Sequence, residues 1–174
     1  MKMPRSPSGS KGSFYNLACG RNLNPEFVNV DKRSDVGADL VADCLELAWM
    51  EDSSAECIFS QNFIEHLAPA ELSVHLDAVK QKLTPDGLLV LIFPDVEKLV
   101  HGFICGNKFE ALSMLFGSEH FKAGDSGHKW GWSIREVSKL LSEKGFAVEY
   151  AGHDYEVVAQ EDLSSFSRIE ASLE

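Results

Sequence analysis

Between Ser13 and Asp43 three short apolar runs follow one another with little between them, and this crowding limits the folds open to the chain. The runs are Ser13 to Ala18, closed by Cys19-Gly20, then Phe27 to Asp31, then Asp39 to Asp43. Each reads as a buried strand, because the apolar residues are contiguous and bounded by Gly, Asn and Asp. Seven residues separate Gly20 from Val28 and seven separate Asp31 from Asp39. Neither gap holds a full crossover helix.

The rest of the chain alternates strand and helix patterns. Cys57 to Ser60 runs into Gln61-Asn62, and Leu88 to Phe93 is continuously apolar and ends at Pro94-Asp95, so both read as central strands buried on two faces. Pro69 fits the first turn of a helix carrying Leu72, Leu76, Val79 and Leu83, which Thr84-Pro85-Asp86-Gly87 stops. A second helical stretch spans Val96 to Phe116, with Gly102 and Gly106 arguing against one unbroken helix. Ser133 caps a further helix, Glu136 completes a capping box, and Gly145 ends it. Phe146 to Tyr150 and Glu156 to Gln160 are expected to pair as a terminal hairpin. Residues 1–12 read as a flexible arm, 13–160 as one domain, and 161–174 as a helical tail.

The fold expected is therefore α/β: a Rossmann-like, mostly parallel sheet with an antiparallel terminal hairpin and helices reduced on one face. With 174 residues and 44% hydrophobic content there is material for one core. The formal charge of -11 disfavours direct nucleic-acid binding, since such a surface repels a phosphate backbone. Cys19, Cys44, Cys57 and Cys105 show neither CxxC nor paired Cys/His spacing, so no metal site or disulfide framework is expected, and a reducing cytoplasmic setting fits. No run is apolar for long enough to span a membrane.

In open parallel sheets ligands bind beyond the carboxyl ends of the strands. There the chain places Asn16-Leu17-Ala18-Cys19-Gly20, small enough for close backbone approach, and Asp31, whose two oxygens suit a pair of vicinal ribose hydroxyls. Asp43 is placed to accept from an adenine amino group. Each aspartate taken singly also reads as an ordinary strand-ending or capping residue. Glu65 and His66 are placed to orient an acceptor or take its proton, or else to bond a helix start and pack under the sheet edge. Asp95 ends a strand at the same mouth, although Pro94-Asp95 is equally common in turns. In Gly127-His128-Lys129-Trp130-Gly131-Trp132, His128 and Trp130 suit a pocket wall, while Trp132 reads as core.

In these segments the chain resembles the class I S-adenosylmethionine-dependent methyltransferases, over roughly residues 13 to 150. Asn16 to Gly20 is similar to the family's first motif, Phe27 to Asp31 to its ribose-binding strand and Val41-Ala42-Asp43 to its adenine-side strand. Ser60 to Leu67 resembles the segment beside the methyl donor, and Leu83 to Val90 the helix-to-strand turn. The resemblance implies S-adenosylmethionine as cofactor, held by Asn16, Ala18, Cys19, Gly20, Asp31, Asp43, Gln61 and Asn62. It further implies His66 as the catalytic residue and Glu65, Asp95, His128 and Trp130 around a small-molecule acceptor. The chain departs from the family's pattern where Asn16 replaces an acidic residue and Ala18 and Asn22 replace glycines. A methyltransferase-like domain without catalysis is the alternative. A dinucleotide oxidoreductase is disfavoured because neither GxGxxG nor its helix is present. The missing crossover helices leave one sheet face short of cover, which points to a homodimer or to self-capping by the tail.

Overall fold

The computed structural model describes residues 13–117, 127–152 and 166–173. Its strands are β1 (Phe14–Leu17), β2 (Val28–Asp31), β3 (Leu40–Val41), β4 (Ala55–Gln61), β5 (Leu83–Pro94), β6 (Phe146–Gly152) and β7 (Phe166–Leu173). The helices are α1 (Pro69–Lys82), α2 (Val96–Ile104), α3 (Lys108–Phe116) and α4 (Ile134–Glu143), with a 3-10 turn at Ile64–His66. One seven-stranded sheet runs in the order β3-β2-β1-β4-β5-β7-β6. The pairs among β1 to β5 are parallel, and β7 is antiparallel to both β5 and β6.

As the short gaps require, no helix separates β1, β2, β3 and β4. Side chains take over part of a helix's work there. Asn29 Oδ1 accepts from Asn16 Nδ2 at 2.9 Å and from the Asn24 amide at 2.8 Å, and Asp39 Oδ2 accepts the Asn29 amide at 2.9 Å. These bonds satisfy loop groups that burial would otherwise orphan.

The core divides across the sheet. The larger cluster joins Leu17, Val30, Ile58, Leu89 and Leu91 to Leu72, Leu76 and Val79 of α1 and Val137 and Leu141 of α4. The smaller contains Phe14, Phe27, Cys57, Phe59, Val90 and Ile92, and no described helix contributes to it. All six are at most 5% exposed within the single chain, so the face expected to be short of cover is buried.

Two expectations are corrected, and one lies outside the described residues. The tail is not helical from Phe166 to Leu173: it is β7, inserted between β5 and β6, with Ile169 and Ala171 fully buried at two-residue spacing. From Leu88 to Pro94 the outer edge of β5 is paired with β7, a backbone ladder that an amphipathic helix lying on the sheet cannot supply. The hairpin partner expected at Glu156 to Gln160 lies outside the described residues; among the described strands β6 pairs with β7. Finally, Thr84-Pro85-Asp86-Gly87 does not precede the fifth strand but forms an irregularity within it, since Leu83 already pairs with Ala55 before the regular ladder begins at Cys57 and Leu88.

Elsewhere the local chemistry acts as expected. Pro69 opens α1, the Ser133 and Glu136 side chains cap α4 reciprocally, and Gly145 follows its end with φ +80°. The stretch from Val96 breaks into α2 and α3 around Gly106, where φ is +108°.

Candidate functional site

A cavity of about 510 Å³ opens beyond the carboxyl ends of β1 to β4, within the size range of small-molecule sites. Ala18, Asp31, Asp43 and Asn62 line it, each just at or past the end of a different strand. His66 from the 3-10 turn and Leu67 just after it, Glu71 from α1, and Gly117 with Gly127, His128 and Lys129 add to the wall, which Lys32, Arg33, Cys44, Leu45 and Phe63 also line.

The first loop leaves β1 by two left-handed residues, Ala18 at φ +51° and Gly20 at φ +53°. Ala18 thus adopts a conformation that glycine takes without strain, and that costs an L-residue about 1–2 kcal/mol. The loop is tied to the end of β2: Asp31 Oδ2 accepts the Gly20 amide at 2.8 Å. Asp31 Oδ1 accepts both the Arg33 amide at 2.9 Å and Arg33 Nε at 3.2 Å. Burial works to raise the Asp31 pKa, but the bonds from Arg33 and Gly20 outweigh it and hold the carboxyl below its ordinary range. Three of the roughly four acceptor positions of this carboxylate are thereby filled. Asp43 is exposed and its Oδ1 accepts the Leu45 amide at 2.7 Å.

One wall stands on a buried histidine. Phe63, which lines the cavity, packs edge-on against His75 with ring centroids 5.1 Å apart. His75 Nδ1 donates to the carbonyl of Leu45, also a lining residue, at 3.2 Å. Complete burial depresses the His75 pKa to about 4, so the ring is neutral at pH 7.

On the opposite side, two distant segments meet. The Glu65 carbonyl accepts the amides of Lys129 at 2.8 Å and Trp130 at 3.2 Å, and Trp132 Nε1 donates to the Ile64 carbonyl at 2.9 Å. Lys129 Nζ bridges both carboxylate oxygens of Glu71, strapping the same segment to the start of α1. This brings His66 and His128 edge to face, with ring centroids 4.8 Å apart, beside the Glu65 carboxyl. Glu65 is 2% exposed, neither of its oxygens has a hydrogen-bond partner among the described residues, and burial pushes its pKa up to about 8.

The expected residues thus fall into three groups. Ala18, Asp31, Asp43, Asn62, His66 and His128 line the cavity, with Glu65 behind the two histidines. Cys19, Gly20 and Gln61 lie beside it without lining it; Cys19 is buried, and its pKa is raised to about 11, chiefly by that burial. Asn16, Asp95 and Trp130 are not brought to the cavity. Asn16 is buried and turned inward, its Nδ2 donating to Asn22 O and Asn29 Oδ1. Asp95 caps α2 through the Glu97 amide and lines a different hollow between α2 and α3. Trp130 is 46% exposed and leans on Trp132, which is core as expected. Sequence reading missed Arg33, Phe63, Glu71 and Lys129. Arg33 was close to hand, two residues beyond Asp31, while the Glu71–Lys129 strap joins positions that only tertiary packing unites.

No protein-family model matches the chain, and no curated protein matches it. Solved structures do. A protein from Pyrococcus horikoshii OT3 superposes with a TM-score of 0.65 at 18% identity, over 95% of this chain and 83% of that one. An S-adenosylmethionine-dependent methyltransferase from Archaeoglobus fulgidus gives 0.61 at 17% identity, over 95% and 88%. Another from Methanosarcina mazei gives 0.67 at 14% identity, over 94% and 92%. The chain has the fold of the class I S-adenosylmethionine-dependent methyltransferases.

Proposed function

We infer that the chain binds S-adenosylmethionine in the cavity at the strand ends and transfers its methyl group to a small-molecule acceptor. The observation that carries this reading is the Asp31 carboxylate, buried at the end of β2 on the cavity wall in a sheet of this order. One Oδ2 acceptor position is open, and withdrawal of the Arg33 side chain frees a second on Oδ1, which together match two vicinal ribose hydroxyls. Ala18 presents no side chain beyond Cβ, so the backbone is open to close approach.

The cofactor supplies a methyl group on a positively charged sulfur. The protein's contribution is positioning, to which its own groups are suited. Phe63, Leu45 and Leu67 provide apolar walls, Asp43 accepts from an amino group, and His66 and His128 face the acceptor side. His66 is the candidate to orient an acceptor or accept its proton.

The Arg33 guanidinium on Asp31 and the inward-turned Asn16 favour a second reading, a binding domain without catalysis. Incubation with S-adenosylmethionine labelled on its methyl group and a panel of small hydroxyl, amine and thiol acceptors separates the two. Product formation supports transfer, and tight binding with no turnover across the panel supports the second reading.

A cytoplasmic location is proposed with this function; among the described residues no helix is long and apolar enough to cross a membrane. A two-fold pair is also proposed. Because the helix-poor sheet face is buried in one chain, the apolar surface for pairing shifts to Val100, Phe103, Ile104 and Phe109 of α2 and α3, each 42% to 80% exposed. Light scattering at micromolar concentration tests it, a monomer contradicting the pair.

A further inference from the structure

We propose that Glu65, His66 and His128 form a binding site for one divalent first-row transition-metal ion at the acceptor side of the cavity. One ligand atom from each of the three lies within 4.8 Å of the others. Two imidazoles and a carboxylate are a donor set such ions favour, leaving positions open to an exogenous ligand. The Glu65 carboxyl supplies the independent observation: it is 98% buried with neither oxygen hydrogen-bonded among the described residues. A carboxylate in that position is strongly destabilised unless a cation meets it, and an ion among its two histidine neighbours does so. The nearest approach to His128 is 4.0 Å from Oε1 to Nε2, beyond a hydrogen bond.

The cluster is held from both sides. The Glu65 carbonyl fixes the His128 segment through the amides of Lys129 and Trp130. Gly117 leaves room for the ring, since a Cβ there would stand 3.3 Å from His128 Cδ2. Ligands about 2.1 Å from a tetrahedral ion stand roughly 3.4 Å apart, so the widest pair closes by roughly 1.4 Å, within reach of side-chain torsions alone. Both histidines line the cavity, so the ion's open positions face it and take an oxygen ligand. On the methyl-transfer reading, and resting on it, that ligand is a hydroxyl-bearing acceptor.

The test uses the full chain freed of metal by chelation and titrated with Co²⁺, followed by visible absorption and calorimetry. One equivalent is expected to bind with a ligand-field band. Glu65→Gln and His128→Asn are each expected to weaken it at least tenfold, while circular dichroism and thermal midpoint verify folding. Acetohydroxamate, a bidentate oxygen ligand, is expected to shift the band. S-adenosylmethionine affinity is measured separately on the metal-free protein. Absence of Co²⁺ binding, or binding that both folded variants retain, overturns the metal site whether or not the cofactor binds. A band that acetohydroxamate leaves unchanged overturns the open positions.

Discussion

Asp31 Oδ2 holds the Gly20 amide at 2.8 Å, so the carboxylate that ends the second strand also shapes the loop that leaves the first. The same carboxylate is clamped by Arg33 through its other oxygen. These contacts give the two residues opposite expected effects. Asp31→Asn should weaken S-adenosylmethionine binding by about 1–3 kcal/mol, the usual worth of a hydrogen bond to a charged group. Arg33→Ala should leave it unchanged or tighter, since it frees an acceptor position and removes a positive charge from the path of a cationic ligand. Calorimetry on both variants checks this. A loss beyond tenfold on Arg33→Ala would remove that side chain from its assigned place.

Ala18 and Gly20 share left-handed backbone but differ in side chain. Gly20→Ala should therefore destabilise the fold by about 1 kcal/mol, whereas Ala18→Gly should be neutral or stabilising. Urea midpoints measure both. Equal losses on the two changes would contradict the backbone assignment.

The strands were legible where burial alone decides them. Leu88 to Phe93, a short continuous apolar run ended by Pro94-Asp95, read as a central strand, and Ser133 with Glu136 announced a helix start through its own hydrogen bonds. The tail read as helical because Leu163, Phe166, Ile169 and Leu173 recur at three- and four-residue spacing, whereas the burial of Ile169 and Ala171 follows the two-residue period of a strand. The unpaired edge of β5, a non-local demand, made the choice. The site divides similarly. Asp31 ends β2 and His66 comes shortly after β4, so chain position alone carries both to the cavity wall, while Asn16 was assigned by motif and is occupied with Asn29. The partnership of Glu65 with His128 depends on a loop returning from far along the chain, for which no local pattern exists.

Gly87 tests the irregular start of β5. A Cβ there would stand 2.9 Å from each of Ala55 O, Thr84 O and Leu83 Cδ2, and two of those atoms are backbone. Gly87→Ala should cost about 1–3 kcal/mol, as overpacking does. A thermal midpoint unchanged from the parent would show that this turn is looser than described.

His75 should make stability fall in acid. Its pKa drops from 6.5 to about 4 on folding, despite the nearby charge of Asp43 and the Leu45 and Cys44 carbonyls, so the unfolded chain binds a proton more readily. The contribution is complete above pH 6.5 and declines as pH falls towards 4, by up to about 3 kcal/mol. In His75→Leu the slope of unfolding free energy over that window should shrink. A variant with the parent's slope would show that His75 does not titrate this way.

The central claim is that the cavity at the strand ends takes S-adenosylmethionine through Asp31. Titration of the full chain with S-adenosylmethionine in a calorimeter, at pH 7 and without metal, tests it most directly. The expected result is one site, competed by S-adenosylhomocysteine and weakened in Asp31→Asn. A folded parent protein that binds neither compound would contradict it.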